Sequence, residues 1–270
     1  MNILLATDFT EAAKHAINCI HQITQTWTSR KEIHFTLVHG FKPHVPYSNT
    51  PSIPVYYDPS LKSSLQQKLE HEKGSLQFTM QVDTLFEEGP LPLVIESAVK
   101  NKKADLIVMG TRQKSAFERV TVGSNTAEVM QKVNTPILAI PLEAKCKQMK
   151  SVVLTSDLES INIDHIHFIK KWLQDNHAQL KILHVSDKDK NHETLIKKTA
   201  MHHHFSETMH EHHFVYNNDP IAGIQEYIGK EKPDLLIALP RDKNFFQKLF
   251  HISVTEDMVY HTQIPILILP

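Results

Sequence analysis

The sequence predicts an α/β protein in which parallel strands alternate with helices, and it predicts that this unit occurs twice. Apolar strand patterns and helical patterns alternate along the chain, which is typical of parallel sheets. The run Leu106–Met109 is short, continuous and apolar, as expected of a strand covered on both faces. A length of 270 residues fits two domains better than one.

Four segments of the first half recur in the second half. In chain order the pairs are NILLATDFT with SVVLTSDLE, HFTLVHG with QLKILHV, KKADLIVMGTR with EKPDLLIALPR, and VNTPILAIP with HTQIPILILP. They place Asp8 opposite Asp157 and His39 opposite His184 at equivalent strand ends. A repeat of this length indicates two copies of one domain. We predict domains at residues 1–145 and 146–270, divided at the Lys-rich stretch Lys145–Lys150.

The remaining elements of the first copy follow from periodicity. Thr10 opens a helix with apolar residues at helical spacing, namely Ala13, Ala16, Ile17, Ile20, Ile23 and Trp27. A third strand is predicted near Gln77–Leu85, and a helix from Pro90 to about Lys100. Together with the segment described next, they give the first copy five strands and four helices.

The segment Ala104–Pro141 carries the most specific pattern of the chain. A buried strand is followed by a polar loop, a helix that opens at Gly123-Ser124-Asn125, and an apolar strand at Pro136–Ile140. Asn125 and Glu128 have the spacing of a capping box. Free N–H groups and the helix dipole favour a phosphate at such a helix start, so this loop is a candidate anion site.

This segment resembles the nucleotide-binding signature of the universal stress proteins. That signature runs glycine, two residues, glycine, nine residues, glycine, then Ser or Thr, and its loop binds the ribose and phosphates of ATP. Gly110, Gly123 and Ser124 match it, whereas Gln113 replaces the middle glycine. A side chain at position 113 crowds a phosphate that glycine would let approach the backbone, so the loop is partly degraded.

The resemblance covers both copies and implies their fold and ligand. It implies two doubly wound five-stranded parallel-sheet domains of the adenine nucleotide α-hydrolase-like type, with strand order 3-2-1-4-5 and a crevice at the carboxyl ends of strands 1 and 4. It implies ATP, with Mg²⁺, as the ligand of the first copy. The implied nucleotide-binding residues are Asp8, Val38, Gly110, Arg112, Gln113, Gly123, Ser124 and Asn125. It also implies that the fifth strands, Pro136–Pro141 and Pro265–Pro270, pair edge to edge within the chain.

Several of these residues have a second interpretation. Asp8 either accepts a hydrogen bond from the nucleotide, as the matching family residue does, or caps the following helix. Val38 either offers backbone groups to an adenine or simply ends a strand. For Arg112 a phosphate contact is favoured over a solvated loop position. His39 and His184 are expected to pack or bond locally rather than act as acids or bases.

The second copy is predicted not to bind nucleotide. Leu239, Asp242 and Ile252 stand opposite Gly110, Gln113 and Gly123, and of the loop's pattern Ser253 alone persists. Branched side chains block a close approach of phosphate, and an aspartate repels it.

Two further segments allow more than one interpretation. The segment 202–213 contains six histidines, at positions 202, 203, 204, 210, 212 and 213. Histidines at this density can bind Zn²⁺ or Ni²⁺. Their spacing does not build one tetrahedral site on a helix, so we expect no specific metal site and prefer a pH-sensitive polar surface. The proline-rich excursion Pro43–Pro59 is expected to be a lid over the crevice, a partner surface displaying Tyr47, Tyr56 and Tyr57, or a solvated loop.

Composition excludes several classes of protein. A net charge of −1 gives no electrostatic reason for a nucleic acid or an anionic membrane as partner. Two cysteines at unrelated positions argue against a disulfide framework and fit a reducing compartment. The N-terminus has no signal-peptide pattern. We therefore expect a cytoplasmic protein.

Within the sequence no catalytic motif is found, so an enzyme is disfavoured, apart from weak ATP hydrolysis. We therefore expect a stress-response protein that uses an adenine nucleotide as a regulatory or conformational ligand. The alternative is a protein-interaction module of two structural domains without nucleotide. Homo-oligomers are compatible with both.

Overall fold

The structure is a computed structural model that describes residues 1–27, 32–41, 59–76, 78, 81–111, 124–156, 161–186, 202–239 and 263–270. The strands are β1 (Asn2–Ala6), β2 (His34–Phe41), β3 (Val82–Glu88), β4 (Leu106–Thr111), β5 (Ile137–Pro141), β6 (Ser151–Thr155), β7 (Gln179–Ser186), β8 (His210–Tyr216), β9 (Leu235–Ala238) and β10 (Ile266–Ile268). The helices are α1 (Glu11–Thr24), α2 (Pro59–Ser75), α3 (Leu91–Lys102), α4 (Ser124–Lys132), α5 (Ile163–Asn176) and α6 (Pro220–Glu231).

All ten strands form one sheet in the order β3-β2-β1-β4-β5-β10-β9-β6-β7-β8. The first half therefore has the order 3-2-1-4-5, and the second half repeats it from the opposite end. The α/β fold class and this strand order confirm the prediction from sequence. Within each half the neighbouring strands are parallel, as in the β1–β2 register of Ala6 with Val38. At the centre β5 and β10 pair antiparallel, with Leu138 opposite Leu267.

The helices cover both faces of the sheet. Ile3 and Leu5 of β1 pack with α1, α2 and α5 on one face. Leu4 and Ala6 pack with α3, α4 and α6 on the other. Because successive side chains of a strand point to opposite faces, a strand buried on both sides needs apolar residues throughout. This arrangement explains the continuous apolar runs of the sequence.

Element boundaries differ from the sequence prediction mainly at the third strand. It runs from Val82 to Glu88 rather than near Gln77–Leu85, because Val82 pairs with Phe35 at the start of the β2 ladder. Helix α4 begins at Ser124, as expected, and its inward positions Thr126, Val129 and Val133 are buried.

The two halves also repeat details of backbone and side-chain geometry. Helices α3 and α6 both end in a left-handed lysine, Lys103 with φ 46° and Lys232 with φ 47°. Asp105 Oδ2 accepts a hydrogen bond from Asn2 N at 2.7 Å, and Asp234 Oδ2 accepts one from Ser151 N at 2.9 Å. Each aspartate thus ties the start of the fourth strand to the start of the first. A repeat at this level is expected when two halves share one backbone design.

Contacts other than the β5–β10 pairing also join the halves in the part of the chain that the structure describes. The rings of Trp27 and Trp172 meet edge to face, with centroids 5.2 Å apart. Cys19 of α1 is disulfide-bonded to Cys146, which follows β5. This bond corrects the expectation that the two cysteines are unrelated. The reason is tertiary: the chain leaving β5 returns against α1, where His15 Nε2 donates to the Ala144 carbonyl oxygen at 2.8 Å.

Candidate functional site

A crevice opens at the carboxyl edge of the sheet between β1 and β4. These strands are neighbours, and the connections that leave them run in opposite directions along the sheet, β1 toward β2 and β4 toward β5. Helix α1 lies on one face and α4 on the other, so the two helices diverge from this point. In doubly wound sheets such a switch point is where ligands bind.

Asp8 lies at this edge, two residues beyond the end of β1. Its Oδ1 accepts a hydrogen bond from Thr10 N at 3.0 Å, which closes a turn before α1. The helix cap itself is Thr10, whose Oγ1 accepts from Ala13 N at 3.3 Å. The side chain of Asp8 is exposed, so its carboxylate keeps lone pairs for a ligand.

Val38 lies in the adjacent strand β2 with its side chain fully buried. Its carbonyl oxygen accepts a hydrogen bond from Thr7 N at 2.9 Å. This bond extends the β1–β2 ladder to the rim of the crevice. Backbone groups of β2 beyond this point, in His39 and Gly40, form the rim next to Asp8.

Gly110 is placed near the end of β4, against the first turn of α1. A Cβ at this position would lie 2.2 Å from the Ala12 carbonyl oxygen and 2.6 Å from Ala13 N. The absence of a side chain is therefore required for packing of α1 on β4, independently of any ligand. The sequence pattern alone suggested only the ligand as the reason for this glycine.

The start of α4 contributes Ser124 and Asn125, in the first turn of the helix. Because α4 leads from β4 back to the start of the parallel strand β5, its N-terminus lies at the carboxyl edge of the sheet. Arg112, Gln113 and Gly123 lie outside the described residues. The structure thus brings the ends of β1, β2 and β4 to one edge.

Aromatic side chains that the sequence reasoning did not single out lie beside this edge. Phe9 adopts a left-handed backbone, with φ 63°, and its ring lies 4.3 Å from that of His39. His39 also stacks on Phe86, with centroids 5.8 Å apart. Lys68 of α2 places its ammonium 4.5 Å from the centre of the Phe9 ring. A left-handed phenylalanine is uncommon, and here it directs the ring onto these partners.

Both strand-end histidines bond locally, as the sequence suggested. His39 Nδ1 donates to the Thr7 carbonyl oxygen at 2.8 Å, and His184 Nδ1 donates to the Ser156 carbonyl oxygen at 2.9 Å. Burial lowers the pKa of His39, and this effect outweighs the opposing hydrogen bond to Thr7. A histidine kept neutral by burial and tied to the backbone is a structural element of the rim.

Glu72 of α2 is a buried carboxyl group behind the same rim. It is 6% exposed, and Thr7 Oγ1 donates to its Oε1 at 2.9 Å. Burial raises the pKa of Glu72, although the Thr7 hydrogen bond and the nearby Lys14 and Lys68 oppose the increase. No sequence signal identified this residue, because α2 is a polar helix with little amphipathic pattern.

In the second half, Leu239 follows β9 at the position equivalent to Gly110. Its partly buried side chain packs against the core. The connection between β6 and α5 spans residues 156–162, whereas the one between β1 and α1 spans residues 7–10. Asp157, Arg241, Asp242, Ile252 and Ser253 lie outside the described residues.

Comparison with known proteins agrees with this architecture. A profile of the Universal stress protein family matches residues 1–141, which is the whole first half of the sheet. The chain belongs to the universal stress protein family. A universal stress protein of Thermus aquaticus is 30% identical over 141 residues, 51% of this chain and 96% of the relative. One of Methanocaldococcus jannaschii is 33% identical over 132 residues, 48% of this chain and 73% of the relative.

Two solved structures have the same two-half arrangement as this universal stress protein. A universal stress protein from Archaeoglobus fulgidus aligns over 99% of this chain and 97% of its own, with a TM-score of 0.67 and 14% identity. A putative universal stress protein from Pseudomonas aeruginosa aligns over 99% and 92%, with a TM-score of 0.55 and 11% identity. At these identities the similarity concerns the fold alone. Among the described residues, no helix is both long and apolar enough to span a membrane.

Proposed function

We propose that the first half of this universal stress protein binds ATP, with Mg²⁺, or a related adenine nucleotide, in the crevice between β1 and β4. The nucleotide acts as a regulatory or conformational ligand in a stress response and is not a substrate. The observation that supports this proposal most directly is the switch point itself, where the end of β1, the end of β4 and the start of α4 share one edge.

The crevice offers groups that suit the parts of a nucleotide. The exposed Asp8 carboxylate accepts hydrogen bonds from ribose hydroxyls, and the adenine meets the β2 rim at Val38 and the two residues after it. The phosphates lie at the start of α4, against the backbone N–H groups of Ser124 and Asn125. We also assign Gly110, Arg112, Gln113 and Gly123 to this nucleotide site, from the family signature. The second half serves as a structural partner without nucleotide.

A thermal-shift and calorimetric titration with Mg-ATP tests this proposal. Ligand that binds only the folded state raises its stability, by about 2.7 kcal/mol at 100 times the Kd. We expect Gly123→Asp to abolish the rise. Ser124→Asp should abolish it as well, while the ligand-free protein keeps or gains stability, because a carboxylate favours a helix N-terminus.

The matched control adds the same charge at the other end of the same helix. Gln131→Glu is exposed and far from the N-terminus of α4, so the response to Mg-ATP should persist. No response of the unaltered protein at millimolar ATP would refute nucleotide binding and favour the alternative, a protein-interaction module. Nucleotide turnover that is lost on changing Asp8 or Ser124 would instead indicate a hydrolase.

A further inference from the structure

Three histidine side chains meet at the outer edge of the second half, in a cluster that we call the histidine triad: His202, His210 and His212. One ring nitrogen of each lies within 4.8 Å of the other two. The ring centroids of His202 and His210 are 4.8 Å apart, and those of His210 and His212 are 5.3 Å apart. The triad contains nitrogen ligands and no carboxylate.

The backbone of β8 and of one helical turn brings the three side chains of the triad together. His210 and His212 are two residues apart on β8, so both point to the same face of the sheet. They pair in register with Leu180 and Ile182 of β7, both buried in the core. The described sequence after β7 resumes with a helical turn at residues 202–204, and this turn supplies His202.

Phe205 anchors that turn. Its side chain is fully buried, and its amide donates to the His202 carbonyl oxygen at 3.2 Å. The Phe205 carbonyl oxygen then accepts from Thr208 N at 2.8 Å, which reverses the chain into β8. The three imidazoles are therefore positioned by packing and hydrogen bonds before any ligand is bound.

Hydrogen bonding also fixes the tautomer of His210. Its Nδ1 lies 2.8 Å from the Thr208 carbonyl oxygen, which can only accept, so Nδ1 carries the proton. In the neutral ring Nε2 then has its lone pair free, and this atom lies 2.9 Å from His202 Nδ1. A ligand histidine that donates its other ring N–H to a backbone carbonyl is the usual arrangement at protein metal sites.

We propose that the histidine triad binds one divalent late transition-metal ion, of which Zn²⁺ is the type, with the fourth position left to solvent. Zn–N bonds of about 2.0–2.1 Å in a tetrahedral site require nitrogen atoms roughly 3.3 Å apart. The three nitrogen atoms already lie within 4.8 Å of one another, and rotation of the side chains brings them to this spacing on binding. Imidazole ligands without carboxylates select Zn²⁺, Co²⁺, Ni²⁺ or Cu²⁺ over Mg²⁺ and Ca²⁺.

The bound ion would join the helical turn to β8, the edge strand of the ten-stranded sheet. Because His202 is exposed, the ion enters from solvent without unfolding of the core. On binding, the proton of neutral His202 moves from Nδ1 to Nε2 by exchange with solvent, which frees the Nδ1 lone pair for the ion. The other histidines of the segment do not take part: His213 faces the opposite side of β8, where its ring lies 5.4 Å from that of Tyr227.

The test is a metal titration of the untagged, metal-stripped full-length chain. Zn²⁺ is added in competition with a chromophoric chelator, and Co²⁺ is added separately to record its visible absorption. We expect one equivalent to bind with the strong d–d bands of four-coordinate Co²⁺, together with a rise in Tm. His202→Gln should lower the affinity at least about 10-fold, the loss that even an outer-shell partner produces. Since His202 is exposed, this variant should fold normally, as far-UV circular dichroism would show.

Three control variants make the outcome specific. His203→Gln alters an exposed neighbour on the same turn, and His213→Gln alters the opposite face of β8, so both should bind as the unaltered protein does. His15→Gln tests the second group of neighbouring side chains, His15 with Cys19 and Cys146, whose sulfurs bind a metal only after the disulfide is reduced. Equal losses from His202→Gln and His203→Gln, or loss from His15→Gln alone, would overturn the proposal. Absence of a one-equivalent site would do the same.

Discussion

Replacing Gly110 by alanine tests whether this glycine is required by packing rather than by a ligand. The added Cβ would meet the backbone of α1 at 2.2 Å from Ala12 O, 2.3 Å from Ala12 C and 2.6 Å from Ala13 N. Backbone atoms cannot rotate away as a side chain can, so the first turn of α1 must shift. Overpacking of a core costs about 1–3 kcal/mol, and the contact with main-chain atoms places this case near the upper limit.

The expected loss of about 3 kcal/mol corresponds to a fall in Tm of roughly 6–12 °C for a chain of this size. Urea denaturation and calorimetry of the ligand-free protein measure it. The loss is steric and not conformational, because the backbone of Gly110 is not left-handed and alanine can adopt it. Among the described glycines a positive φ occurs at Gly89, with φ 148°.

Gly74→Ala is the matched control. Gly74 lies in α2, and an added Cβ meets nothing within 4 Å. Alanine is favoured over glycine in a helix by up to about 1 kcal/mol, so this variant should be slightly more stable. If Gly110→Ala changed stability by less than about 0.5 kcal/mol, which is ordinary for surface substitutions, the packing explanation would be refuted.

Two further predictions concern the Cys19–Cys146 bond and the buried carboxyl group of Glu72. The disulfide spans 127 residues, so the chain-entropy estimate of its contribution is about 5 kcal/mol. In the absence of reductant, Cys19→Ser and Cys146→Ser should each lose most of this stabilisation of the folded state. Their stability should then differ little from that of the reduced unaltered protein. A thiol titration of the native protein that finds two free thiols would contradict the bond. Burial raises the pKa of Glu72 in the folded state, so the folded protein favours the protonated carboxyl group. As the pH rises through the folded-state pKa, ionisation of Glu72 therefore lowers the free energy of unfolding. Glu72→Gln keeps an oxygen that accepts the hydrogen bond from Thr7 but removes the buried charge. The variant should therefore be more stable than the unaltered protein at pH 7.5 but not at pH 4, as measured by urea denaturation at both pH values. Equal effects at the two pH values would refute this interpretation.

The fold class and the repeat could be predicted because they depend on local patterns, and the strand order was implied by the family resemblance. Continuous apolar runs indicated strands covered on both faces, and the repeated segments indicated that the same unit occurs twice. The match at Gly110, Gly123 and Ser124 led to the universal stress proteins, and the family profile confirms that identification.

The candidate site could be predicted only in outline. The described residues that the family resemblance implies at the ends of β1, β2 and β4 are Asp8, Val38 and Gly110, and they come to one edge, as parallel strands require. Glu72 and Phe9 were missed, because their importance arises from contacts with Thr7 and His39 that no spacing in the sequence shows. Their roles depend on how α2 packs over the end of β1.

The histidine-rich segment shows the same limit more clearly. Helical spacing does not bring its side chains to one point, so the sequence favoured a polar surface. The structure divides the segment between a helical turn and a strand, and this change of backbone brings His202 to His210 and His212. Periodicity can be used only after the type of element is known.

The sequence by itself determined the class of fold, the repetition of one strand–helix unit and the family, since these depend on apolar periodicity and on motifs within single segments. The tertiary structure decided which distant residues meet: the antiparallel register of the β5–β10 pairing that the resemblance implied, the Cys19–Cys146 bond, the contact of Gly110 with α1 and the histidine triad. The physical reason is that such contacts depend on which face of the sheet each helix covers. Packing of the whole chain fixes that choice.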